Sequence, residues 1–129
     1  MEWKTGTESL KLIFPDVPWS IHGLSMRVPV IDVSLVDFAV RTEGNPSAEE
    51  VNALFRELAS KRAFAGALAV SNDDGVSSDF LGHPASSIVD LPLTSVGSDG
   101  LLRVVSWYDN EWGFSNRMSD TAVAMAKLD

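Results

Sequence analysis

The sequence predicts an α+β domain, and three observations carry that prediction. Residues 33–42 alternate apolar and polar, with Val36, Phe38 and Val40 on one face and Asp37 and Arg41 on the other, which is the pattern of a half-buried strand. Residues 47–61 instead repeat their apolar side chains at helical spacing. The remaining strand-like segments follow without the strict strand–helix alternation of a doubly wound sheet, and no Gly-x-Gly-x-x-Gly turn follows any of them. A length of 129 residues suits one domain, taken as 1–129, and a chain of this size buries roughly two-thirds of its unfolded surface, enough for a single core.

Taken in order, residues 9–14 predict a brief helix or turn, broken by Pro15 and Pro18. Residues 23–30 (GLSMRVPV) predict a strand whose end Pro29 places at an edge or bend. Gly44-Asn45-Pro46 is a turn leading to the helix, where Ser47 occupies the N-cap and Glu50 completes a capping box. Val51, Leu54, Phe55 and Leu58 then form its apolar stripe, and the helix should end near Lys61. A buried strand is expected at 65–70, a turn at Asn72-Asp73-Asp74-Gly75, and short strands at 76–80 and 86–91. After a turn at Ser98-Asp99-Gly100, residues 101–108 are rich in strong β-formers. The chain should turn at Trp112-Gly113 and finish in a helix from about Ser115, with Met118, Ala122 and Met125 on one face.

Composition removes several function classes. The net charge of −8 disfavours nucleic acid as a partner. No apolar run approaches the roughly 20 residues that cross a bilayer, so no membrane partner is expected. Met1-Glu2-Trp3-Lys4 lacks the basic-then-apolar pattern of a signal peptide, which makes the cytoplasm the simplest expected location. With no cysteine there is no thiolate nucleophile or disulfide, and with only His22 and His83 no metal centre is expected. Both histidines read as loop residues. Ser77, Ser78 and Asp79 do not make a hydrolase triad, because consecutive residues of a strand point to alternate faces.

The twelve residues 106–117, SWYDNEWGFSNR, resemble the signature near the C-terminus of glyceraldehyde-3-phosphate dehydrogenases. The resemblance continues elsewhere. Thr5-Gly6 resembles the Thr-Gly after that family's active-site loop, and GLSMRVPVIDV at 23–33 is similar to its Gly-Met-Ala-Phe-Arg-Val-Pro-Thr-Pro-Asn-Val segment. VSSDF at 76–80 and Ser86-Ser87 match a further pair of family strands, so the likeness spans about residues 5–126 in the same order. It implies the family's substrate domain, a mainly antiparallel mixed sheet with helices packed on one face. It also implies that the nucleotide-binding domain and the segment bearing the nucleophilic cysteine and its histidine base are missing.

The resemblance assigns no catalytic residue. It implies phosphate-gripping roles for Thr5, Gly6 and Arg27, a guanidinium fork being well shaped for that task. It gives Asn110 the role of hydrogen-bonding the nicotinamide carboxamide of NAD(P), and Phe114 stands where the family often has tyrosine. Each has a plainer reading beside it: Arg27 pairs with an acidic side chain, Thr5 caps the first helix, Asn110 and Asp109 satisfy backbone donors at the turn, and Trp107 and Trp112 are core or interface aromatics. Without a thiolate and a nucleotide fold this chain alone is expected to bind no cofactor and to be inert as an aldehyde dehydrogenase. The leading expectation is therefore a non-catalytic relative that acts by self-association or partner binding. The alternatives are a fragment or split half of an NAD-dependent phosphorylated-aldehyde dehydrogenase, and a weak binding module for phosphate or phosphorylated metabolites.

Overall fold

The computed structural model describes the backbone of residues 4–17 and 20–128 and the side chains of 9–17 and 20–128. Met1, Glu2, Trp3 and Pro18, and the side chains of Thr5 and Gly6, lie outside the described residues.

Four strands form one mixed sheet: β1 (Ser34–Arg41), β2 (Leu68–Ser71), β3 (Ser87–Val96) and β4 (Leu101–Tyr108), in the order β1-β4-β3-β2. β4 is antiparallel to both neighbours, and β2 joins β3 in parallel. Three α-helices accompany the sheet: α1 (Lys4–Ile13), α2 (Ala48–Ser60) and α3 (Asn110–Met125). This is the expected α+β architecture. The first helix is longer than the brief turn expected at 9–14, and it takes Thr5-Gly6 into its first turn.

α2 begins as its sequence dictates. The Ser47 hydroxyl accepts from the Glu50 backbone N–H at 3.2 Å, and the Glu50 carboxylate accepts from the Ser47 backbone N–H at 2.8 Å. These bonds, led by the Ser47 backbone N–H, hold the Glu50 carboxyl below the ordinary carboxylate range. Val51 and Phe55 pack on Val89, Leu91, Leu102 and Val104 from one face of the sheet, with Val40, Leu68 and Val70 around them. Leu54 of the expected stripe stays half exposed. Buried Asn52 adds a polar tie, its amide donating to the Leu91 carbonyl at 3.1 Å. The opposite face of the sheet is covered by loop residues, Val33, Phe80 and Ala85 meeting Ile88, Ala69 and Trp107.

The strand expected at 65–70 begins only at Leu68, because residues 65–67 form a turn in which Gly66 takes a positive φ of 77°, and it is half-buried rather than buried. Three further segments before α3 also differ. Residues 23–30 pair with no strand among the described residues and are solvent-facing throughout. Residues 76–80 are not a strand: Ser77–Phe80 form a short 3₁₀ turn. Its cause is local, since the Asp79 carboxylate accepts from the Val76 backbone N–H at 2.9 Å and the Asp79 N–H donates back to the Val76 carbonyl at 2.9 Å. The alternating-face argument against a Ser77–Ser78–Asp79 triad therefore fails, and the triad is disfavoured instead by Asp79 spending its carboxylate on the backbone. Third, β3 continues past Leu91 to Val96, and its register against β4 shifts between Asp90 and Ser95. Pro92 lies in that interval and has no N–H for the ladder, which is where a bulge belongs.

Candidate functional site

The most constructed corner of the molecule is the passage from β4 into α3. The expected turn at Trp112-Gly113 is absent, and α3 starts at Asn110, five residues earlier than expected. Asp109 is the reason. It is 4% exposed, with one carboxylate oxygen accepting from the Trp112 N–H at 2.9 Å and the other from the Gly82 N–H at 2.9 Å. The first bond caps the helix; the second ties it to the loop after the 3₁₀ turn. Gly113 lets the first turn of α3 approach residues 85–86, since a Cβ there would sit 3.3 Å from the Ala85 carbonyl oxygen. One helical turn later Arg117 donates to the Gly66 carbonyl and to the Ser86 hydroxyl, and pairs with Asp120 at 2.8 Å.

Beneath this corner lies a buried polar contact. Asp90 is 1% exposed and accepts from the Trp107 indole N–H at 2.8 Å, while the Trp107 ring stacks on Phe80 with centroids 5.2 Å apart. The other Asp90 oxygen has no partner among the described residues. Neither Asp90 nor Asn52 was singled out from the sequence. The available signal was a lone carboxylate inside the apolar run Ile88-Val89-Asp90-Leu91, a residue type that is rarely buried unpaired. On the same face, Arg103 grips Asp37 across β1 and β4 through two bonds of 2.7 and 2.6 Å, and this holds the Asp37 carboxyl below its usual range.

The residues named by resemblance sit on separate elements. Thr5 and Gly6 belong to α1, and their side chains are outside the described residues. Arg27 lies exposed on the stretch before β1 and makes no ion pair or hydrogen bond among the described residues, so its plainer reading as an ion-paired side chain is not what is observed there. Asn110 is exposed at the first position of α3. Of the turn pair, Asp109 does satisfy backbone donors as expected. Trp107 is half-buried against Phe80, whereas Trp112 is 52% exposed. His83 is a loop residue whose ring nitrogen accepts from the Ala85 N–H at 3.2 Å.

Around Asn110 the carboxylates of Asp32, Asp109 and Glu111 approach within 4.8 Å of one another. Asp32 accepts from the Val33 N–H at 2.7 Å and Asp109 from two backbone donors, so two of the three carboxylates already serve the backbone beside the positive end of α3. Such an acidic setting tolerates a cationic ring but not a pyrophosphate. A dinucleotide does not fit these residues alone, and its phosphates need donors from elsewhere.

A mixed four-stranded sheet whose inner strand β4 feeds an aspartate-capped C-terminal helix places the chain in the α+β class. Comparison with known proteins makes it particular. Residues 4–110 match the family model of the glyceraldehyde 3-phosphate dehydrogenase C-terminal domain, and the chain belongs to that family. It is 45% identical over 119 residues to the glyceraldehyde-3-phosphate dehydrogenase of Zymomonas mobilis, a match covering 92% of this chain and 35% of that one. It is likewise 45% identical over 124 residues to the enzyme of Pseudomonas aeruginosa (95% of this chain, 36% of the relative), and 42% identical over 121 residues to that of Cereibacter sphaeroides (94% and 36%). The chain thus spans about a third of the length of the curated relatives it matches.

Proposed function

We propose that this chain works by association, as a substrate-domain relative without catalysis of its own. The observation that carries the reading is the stretch before β1, where Leu24, Met26, Val28, Val30 and Ile31 are all solvent-facing, Met26 at 81% and Ile31 at 100% exposure. Soluble domains seldom leave so many large apolar side chains together in water, and a row of this kind is characteristic of a surface that another polypeptide covers. The absence of cysteine from the 129 residues supports the non-catalytic half, since the family's route needs a thiolate to form a hemithioacetal before hydride leaves. The test is the mass in solution: light scattering should give a value above the 14.0 kDa of one chain, and Met26→Lys with Ile31→Lys should return it to one chain. A monomeric mass for the unmodified chain, alone and with every candidate partner, overturns the proposal.

A split or fragmentary enzyme is the second reading, favoured by the coverage of about a third of each relative. Here the chain would supply the substrate domain, with Asn110 beside the nicotinamide, and another polypeptide would bring the nucleotide fold and the cysteine. Mixing it with the remaining two-thirds of the Zymomonas mobilis relative and following NAD reduction checks this reading; no turnover in the mixture removes it. Phosphate binding by Thr5, Gly6 and Arg27 is a third reading, supported by an Arg27 guanidinium that has no partner among the described residues. Equal calorimetric heats for the unmodified chain and Arg27→Ala remove it.

A further inference from the structure

Two Asp-Gly pairs occur in this chain, Asp74-Gly75 and Asp99-Gly100, and the fold treats them oppositely. An Asp-Gly bond isomerises when the glycine amide nitrogen attacks the aspartate Cγ, and glycine is the easiest successor because no Cβ obstructs the approach. A C–N bond forms, the Cγ–OH bond breaks, and the hydroxyl leaves with the amide proton as water. Hydrolysis of the resulting succinimide at one carbonyl restores aspartate, and at the other gives isoaspartate. The reaction consumes only the solvent water it first released, and no redox partner enters.

At Asp99 both reactants are held. Its carboxylate accepts from the Leu101 N–H at 3.3 Å and from Arg41 at 2.8 Å, and the Gly100 N–H donates to the Gly97 carbonyl at 2.9 Å. The Leu101 N–H first, and then the Arg41 charge, keep this carboxyl below its ordinary range, so it stays an ionised and poor electrophile. At Asp74 the restraints stop one residue short. Ser71 Oγ exchanges hydrogen bonds with the N–H and carbonyl of Asp73, and Asp79 holds the Val76 N–H. Between them, the exposed Asp74 carboxylate and the Gly75 N–H have no partner among the described residues.

We propose that Asp74-Gly75 is a covalent modification site, where the backbone converts spontaneously to isoaspartate and becomes a substrate for carboxyl methylation. The inserted backbone carbon falls beside a glycine already packed on Phe80, whose ring atoms lie 2.7 Å from where a Gly75 Cβ would be. The experiment ages the full chain at neutral pH and body temperature, labels it with an isoaspartyl methyltransferase and radiolabelled S-adenosylmethionine, and maps the label to peptides. Even at the low end of a hydrogen bond's net worth, losing three restraining bonds corresponds to roughly tenfold faster reaction, so label at the Asp74 peptide should exceed that at the Asp99 peptide by at least about that factor. Asp74→Glu should abolish the first signal, because the longer side chain closes a less favourable ring. Arg41→Ala should raise label at Asp99 while leaving Asp74 unchanged, with an unaltered circular dichroism spectrum showing that the variant remains folded. Equal label at the two sites, more at Asp99, or none at Asp74 overturns the proposal.

Discussion

At the scale of single residues, the carboxylates set the geometry of the β4–α3 corner. Replacing Asp109 with alanine strands the N–H groups of Trp112 and Gly82 together and should cost about 2–3 kcal/mol of stability in a urea melt. Asp109→Asn keeps one acceptor oxygen and should cost about 1 kcal/mol. If both variants melted with the unmodified chain, the cap would contribute nothing. Trp107→Phe preserves the stack on Phe80 but removes the donor that satisfies Asp90, so it should destabilise by about 3 kcal/mol, much of it from the buried carboxylate left unpaired. Asp90→Asn should be milder than Trp107→Phe, and the reverse order would show that ring packing dominates. Asp109 was legible in the sequence, because Asp before a turn reads as a backbone acceptor. Asp90 and Asn52 were not, since a polar residue in an apolar run identifies its partner only after the chain has folded.

At the scale of elements, legibility followed how local the cause was. α2 was read almost to its ends, because the capping box and the apolar stripe are written within four residues of each other. The 3₁₀ turn at Ser77–Phe80 was missed although its cause is also local, since a β-like composition concealed a side chain that bonds its own backbone. Residues 23–30 have strand composition but no neighbour to pair with, and strands need partners that composition cannot supply. Ser47→Ala should therefore cost about 1 kcal/mol, read as a lower melting temperature, with the effect confined to loss of the cap. The charged pairs predict a pH response of defined sign. Asp37, Glu50, Glu57 and Asp99 are all held below their ordinary values, by Arg103, Ser47, Lys61 and the Leu101 N–H respectively. A group with a depressed folded value binds its proton more readily when unfolded. Its contribution is thus fully present above the unfolded carboxylate range and is lost as pH falls through the folded value. The melting temperature should decline on that acid side, and Arg103→Ala should make the decline shallower by releasing Asp37. An unchanged slope in Arg103→Ala would mean that the Asp37–Arg103 pair adds nothing to the acid response.

At the scale of the whole molecule, two opposing features decide whether copies meet. The apolar row at 24–31 favours contact, and α3 adds to it with exposed Trp112, Phe114, Met118, Val123 and Met125. The expected Met118–Met125 stripe of that helix thus faces solvent rather than the core. Against contact stands the net charge of −8, which two copies carry equally. Such repulsion acts over a Debye length of about 30 Å at 0.01 M salt but only about 8 Å at 0.15 M, whereas apolar burial gains slightly with added salt. Both trends point one way. If copies of this chain associate, sedimentation should show a smaller average mass at the lower salt and a larger one at the higher. An oppositely charged partner would behave in the reverse sense, binding best at low salt and releasing as screening rises. The direction of the salt response therefore identifies which kind of surface covers the apolar row, and a monomeric mass at both salt levels with no partner bound at either would remove the association reading altogether.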